Sequence, residues 1–155
     1  RNLALNDCRQ VEAINVAVSS QTGQLEFVRV LGNTTSSHLA GSKVNPYGEL
    51  ERFPVPAESM ETIMPWADLI KLDAEGHEKE ILSITRREHW LKTDAFVEIE
   101  NATNATFLYK HFRELEVNLF SQKTNWQRVQ NLEQMPTGYR EGSLFVSCKE
   151  QMPWS

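Results

Sequence analysis

The run Ala67 to Asp73 (ADLIKLD) limits the fold of this chain more than any other stretch. Leu69, Ile70 and Leu72 form a compact apolar run, the pattern of a buried central strand in a parallel sheet. Acidic residues and Gly76 follow at once. Apolar residues then return at helical spacing, with Ile81, Leu82, Ile84, Trp90 and Leu91 on a helix from about His77 to Lys92. A strand, a tight turn and a helix make up most of a βαβ unit, so the flanking sequence is read for an open α/β sheet.

Downstream the pattern continues. Ala95 to Ile99 (AFVEI) predicts the next strand and Asn101 to Leu115 another helix, with Phe107, Leu108, Phe112 and Leu115 inward. Val117 to Phe120 and Leu144 to Ser147 are closing strands, separated by a loop that holds Pro136, Thr137 and Gly138. Upstream, RNLALNDC reads as the tail of a helix that stops near Asn6-Asp7. Glu12 to Ser19 alternates through Ile14, Val16 and Val18 as a strand does, and SSQTGQ supplies a turn. Leu25 to Val30 alternates again, so the two segments form a hairpin or a strand followed by an excursion. Leu31 to Leu50 lacks periodicity and reads as a long loop, a lid or a disordered segment. Phe53 to Pro56 suits only an edge strand or an extended segment, because its prolines remove ladder donors. Glu58 to Met64 is a short helix ended by Pro65.

The 155 residues suit one domain, 1–155, with enough chain to bury a core. A net charge of −5 gains nothing from counterion release, which argues against nucleic acid and against anionic membrane surfaces. No apolar run is long enough to span a bilayer. Cys8 and Cys148 lie far apart and form no metal-type spacing, which reads as two free thiols in a reducing, cytoplasmic compartment. Asn-x-Thr sequons at Asn33, Asn101 and Asn104 leave a secretory route open.

In open α/β sheets ligands sit beyond the carboxyl ends of the strands. That puts Val18 and Ser19, the Asp73–His77 turn, and Glu98 to Asn101 at one end of the molecule. Asp73, Glu75 and Glu98 can converge on a single cleft from neighbouring strands. The competing reading makes Asp73 or Glu75 a cap for the following helix. Glu98 and Glu100 alternate, so they share a side if the strand reaches that far. Acidic groups gathered near Asp73 are costly without a cation, a sulfonium or a proton. HEKE is not HExxH, which disfavours a zincin-type zinc site, and His77 reads as a first-turn surface residue. The aromatic stripe of the later helix reads as core.

The string DLIKLDAEGHEKEIL, Asp68 to Leu82, resembles the signature of the FkbM methyltransferase family, a run close to D-[FL]-I-K-[IL]-D-x-E-G-x-E-x-x-[IV]-L. Asp68, Ile70, Lys71, Asp73, Glu75, Gly76, Glu78 and Leu82 stand in register with it. RNLALN, INVAVSSQTGQLEF, TTSSHL, ESMETIM and FVEIE are similar, in order, to the helix before the family's third strand, that strand and its turn, a Ser-Ser-Leu loop, a short helix and the fifth strand. The resemblance implies a Rossmann-like class I methyltransferase sheet of strand order 3-2-1-4-5-7-6 in a three-layer α/β/α fold. It implies S-adenosyl-L-methionine (SAM) as cofactor and methyl transfer to a hydroxyl of a small molecule or glycan. It also implies roles for residues: Ala17, Val18 and Ser19 near the adenine, Asp73 beside the methionine end, and Glu75 and Glu98 toward the acceptor. Ser36, Ser37 and His38 would lie on a loop over the substrate.

The glycine-rich turn after the family's first strand and the acidic end of its second are not in this sequence. The chain is therefore expected to be a partial, N-terminally truncated methyltransferase sheet. The ADLIKLD strand would then have an open edge, covered by a preceding segment or by a second copy. Two alternatives stand beside this reading. One is a non-catalytic scaffold without SAM. The other is a carboxylate–metal enzyme using Asp73, Glu75, His77 and Glu98 with Mg²⁺ or Mn²⁺.

Overall fold

A computed structural model describes residues 2–33, 36–42 and 48–154. It is mixed α/β and contains two sheets. A first helical turn, α1 (Asn2–Leu5), is followed by β1 (Ala17–Ser19) and β2 (Gly23–Val30). Next come the two-residue β3 (His38–Leu39) and the long β4 (Leu50–Ser59). These four strands make one sheet in the order β1-β4-β2-β3. β1 and β2 are thus no hairpin. β4 lies between them, parallel to β1 and antiparallel to β2.

The strand expected from Glu12 begins only at Ala17, and Val11 and Ile14 are exposed. Phe53 to Pro56 is part of a ten-residue strand rather than a short edge piece. The proline argument still holds locally. β1 pairs with β4 only from Ala57 onward, whereas β2 pairs along the whole of Leu50 to Ala57. Pro54 and Pro56 stand two apart, so their donor-less nitrogens face the same side, the one β1 does not reach.

β4 leads into α2 (Met60–Ile63), capped by the Ser59 hydroxyl, which accepts from the Glu61 amide. Pro65 does not end this helix but sits inside a 3₁₀ turn, Met64–Trp66, that extends it. β5 (Leu69–Leu72) starts the second sheet, followed by α3 (Glu78–Leu82), α4 (Arg87–Trp90), β6 (Asp94–Glu98) and α5 (Ala102–Glu114). β7 (Asn118–Ser121), β8 (Gln127–Arg128) and β9 (Ser143–Ser147) complete it. The single helix expected over His77 to Lys92 is two short helices, because Ser83–Arg86 breaks the run.

The second sheet has the order β5-β6-β9-β7-β8. β5 and β6 are parallel, and β9 runs antiparallel to both β6 and β7. On one face Leu72, Val97, Ile99, Leu144 and Val146 pack against Ile81, Leu82, Trp90, Leu108 and Phe112 from α3, α4 and α5. Met60, Met64 and Val18 join this cluster, so both sheets border one core. The opposite face carries no helix among the described residues. It is covered in part by an aromatic cluster of Phe96, Phe120, Trp126 and Phe145, with Trp154 stacked on Phe96. The described residues therefore make two layers where three were expected.

The ADLIKLD strand is an edge strand, not a buried central one. Among the described residues β5 pairs with β6 alone. Only one of its faces meets the helices, so burial alternates and Leu69 is 61% exposed. An unpaired strand edge of this kind is a place where a further strand can add. Thr34, Thr35 and residues 43–47 of the expected long loop lie outside the described residues. The flanking parts of that loop fold back onto β2 through β3.

The packing gives a direct test. Phe112 is fully buried and meets Trp90 edge to face at 5.1 Å. Phe112→Ala is expected to cost about 3–5 kcal/mol in urea unfolding. Leu91→Ala, at an exposed position, should stay within about 0.5 kcal/mol.

Candidate functional site

The turn between β5 and α3 carries the densest part of the sequence signature. It is bent by two residues with positive φ, Glu75 at 51° and Gly76 at 99°. An added Cβ on Gly76 would stand 2.7 Å from the Ser42 carbonyl oxygen, so glycine is required both for the backbone and for the approach of the loop. What holds the bend is Glu78. Its side chain turns back from the first turn of α3, only 1% exposed. Its Oε1 accepts from the backbone amides of Ala74 and Gly76, each at 3.1 Å, and its Oε2 accepts from Asn104 Nδ2 at 2.7 Å. Asn104 also donates to the Gly76 carbonyl at 3.1 Å. Burial pushes the Glu78 carboxyl above its ordinary value, and the donors from Gly76, Ala74 and Asn104 partly offset that rise.

His77, expected on the surface, is 9% exposed. Its Nε2 lies 3.0 Å from Ser19 Oγ at the end of β1, and its Nδ1 lies 3.0 Å from Ser42 Oγ. One imidazole thus joins the first sheet, the loop and the turn. Desolvation lowers its pKa, opposed by the nearby Glu80 carboxylate. Beside it opens a cleft of about 570 Å³, walled by Ala40 to Ser42, the Gly76–His77 turn, Lys79 and Glu80, and the Glu100–Asn104 segment that starts α5.

The expected site residues divide into groups. Asp73 and Glu98 do come together, at the ends of neighbouring parallel strands. Lys71 Nζ lies 3.8 Å from both Asp73 Oδ2 and Glu98 Oε2. The cation that such a pair requires is thus supplied from within the motif, on an open face where each contact is weak. Neither Asp73 nor Glu75 caps α3, whose N-cap is His77 without a side-chain bond. β6 ends at Glu98, and it is Glu100, not Glu98, that walls the cleft.

Val18 packs on the shared core, Ser19 is engaged by His77, and Ala17 borders a separate hollow with Phe27, Arg29 and Phe53. Ser36, Ser37 and His38 do not reach the cleft. Ser37 Oγ accepts from the Val30 amide at 3.2 Å, and His38 is buried in β3 with Nδ1 2.8 Å from the Ser36 carbonyl. The part of that loop at the cleft is Ala40 to Ser42. Sequence reasoning placed Glu78 in the signature but missed its bracing role, the part played by Asn104 and the burial of His77. The available signal was an acidic residue two places after Gly76, in the first turn of the helix that follows the bend.

Ala17, Val18, Ser19 and Asp73 are not among the residues that wall the cleft beside His77. Among the described residues no three His, Cys, Asp or Glu side chains gather as a metal-ligand set. No helix among them is long and apolar enough to cross a membrane. Asn104 is buried with its amide committed to Glu78, so its sequon is not a glycan site of the folded chain. In comparisons with known proteins, no family model, curated protein or solved structure matches the chain.

Because the folded state holds the Glu78 proton more tightly than the unfolded chain does, Glu78 contributes most below the ordinary carboxylate value of 4.5. That contribution falls as pH rises from there through the raised folded value. His77 and His111, lowered by burial, act in the opposite sense, adding stability as pH climbs through their folded values toward 6.5. Subtracting the pH profile of Glu78→Gln from that of the wild type, both from urea unfolding, is expected to leave a difference that declines with rising pH. A flat difference contradicts the assignment. Glu78→Ala, which leaves three donors unmatched, should cost about 3 kcal/mol or more.

Proposed function

We propose that this chain carries the second half of a SAM-dependent methyltransferase sheet that transfers methyl to a hydroxyl of a small molecule or glycan. The observation that supports the reading is the order of the second sheet. β5-β6-β9-β7 reproduces strands 4-5-7-6 of the order 3-2-1-4-5-7-6, with the signature turn directly after the first of them. The exposed edge of β5, with Leu69 on it, falls where that order places the family's first strand. A cofactor cleft in this fold would be completed along that edge, with Asp73 at its rim.

The residues of this chain contribute positioning. The parallel pairing of β5 and β6 sets Asp73 beside Glu98 with Lys71 between them, and the Glu78-braced turn begins directly after Asp73. An exposed Asp73 carboxylate suits a cationic group such as a sulfonium, to which it would offer a nearby opposite charge. The packing of Val18 and the engagement of Ser19 favour a second reading, a non-catalytic scaffold of the same lineage.

Equilibrium dialysis of labelled SAM against the full-length polypeptide separates the two. The methyltransferase reading expects saturable binding that weakens about ten- to hundredfold in Asp73→Asn. Absence of binding, or binding indifferent to that substitution, contradicts it, and absence of binding is the outcome the scaffold reading expects.

A further inference from the structure

We propose that Ser42 and His77 form a proton-accepting pair for a hydroxyl group bound in the cleft beside them, with Ser19 holding the far side of the imidazole. The inference rests on the transferase reading for its use, but its geometry stands independently.

Three observations carry it. His77 has a serine hydroxyl at hydrogen-bond distance on each ring nitrogen, at 3.0 Å in both cases. The two serines are not equivalent. Ser19 is buried at the end of β1, whereas Ser42 walls the cleft. The loop is also seated closely, since the Ser42 carbonyl abuts Gly76 so tightly that no side chain fits there. This close contact fixes Ser42 against the turn and keeps its hydroxyl at the imidazole.

In a neutral imidazole one nitrogen donates and the other accepts. The tautomer with its proton on Nε2, the intrinsically favoured one for histidine, donates to Ser19 Oγ and leaves Nδ1 as an acceptor. Ser42 then donates its hydroxyl proton to Nδ1 and turns its oxygen lone pairs to the cleft. A ligand hydroxyl that donates to Ser42 Oγ completes a relay. Its O–H bond breaks as the proton bonds to Ser42 Oγ, the Ser42 proton bonds to His77 Nδ1, and the electron pair stays on the ligand oxygen. The imidazole ends as a cation still donating to Ser19.

Burial favours the neutral ring, which is the form that has a nitrogen free to accept. The charged groups around it act on the cation so formed. Glu80 on its own helix favours it, Glu100 on the opposite wall is a second carboxylate, and Lys79 is the neighbouring positive charge. Among the described residues, β1 and the loop face the ring with Ser19 and Ser42, which carry no charge.

Two measurements test the pair. The first needs no activity: ¹⁵N chemical shifts of the His77 ring in the folded protein should show Nε2 protonated and Nδ1 accepting, with the Nδ1 signal moving in Ser42→Ala. A ring protonated on Nδ1 overturns the proposal, because Ser42 then has no acceptor for its proton. The second is the pH–rate profile of methyl transfer by the full-length polypeptide. The wild type should lose rate below the His77 pKa. His77→Gln, which retains a contact to Ser19, and Ser42→Ala should each lower kcat about 10²-fold with KM little changed and abolish that acidic limb. If both variants keep the wild-type kcat and limb, His77 is a structural tie only and the proposal falls. Should methyl transfer be absent from the wild type, the transferase reading fails and the pair is judged on the ring shifts alone, with Nδ1 accepting from Ser42 upholding it and Nδ1 protonated overturning it.

Discussion

A single buried carboxylate organises this molecule's functional end. Glu78 sits in a nearly solvent-free position, which is costly for an ionisable group, and it is tolerated there because three donors converge on it. Two of those donors are backbone amides of the turn that leaves β5. The third comes from α5, a helix more than twenty residues further along the chain. One side chain thereby ties strand, turn and both flanking helices together. The bend carries the positive φ at Glu75 and Gly76 and is followed by the inward ring of His77, while the parallel pairing of β5 and β6 sets Asp73 beside Glu98.

The two sheets meet at the same place. β1 ends at Ser19, the loop after β3 arrives at Ser42, and both are held by the two nitrogens of His77. Val18, Met60 and Met64 then extend the apolar core from the first sheet under the helices of the second. The cleft lies at this junction, next to the carboxyl end of the parallel pair, where an α/β sheet presents its ligand site. The proposed transferase role uses one side of that junction, at Asp73 and Glu98, and the proton-accepting pair uses the other, at Ser42 and His77.

Much of this was legible in the sequence. The strand and turn at ADLIKLD, the helix read from Asn101 to Leu115 and the last strands all follow from local pattern. What pattern did not reveal depended on partners distant in the chain. Leu69, Ile70 and Leu72 read as buried on both faces, yet burial depends on what lies against a strand, and among the described residues β5 has a neighbour on one side only. His77 read as a surface residue because nothing local places Ser19, 58 positions away, against its ring. Pro54 and Pro56 suggested a short edge piece, because only the staggered register with β1 lets a long strand carry both. Glu78 was visible within the signature, but its burial required Asn104 to arrive from α5.

The central claim is that the Glu78 carboxylate, and not the loop sequence alone, fixes the turn. Amide hydrogen exchange followed residue by residue tests it most directly. The account expects the Ala74 and Gly76 amides of the wild type to exchange slowly. In a Glu78→Ala variant those two amides should become fast while the Val97 and Val146 amides of the sheet stay protected. Fast exchange at Ala74 and Gly76 in the wild type, or unchanged protection in the variant, would contradict it.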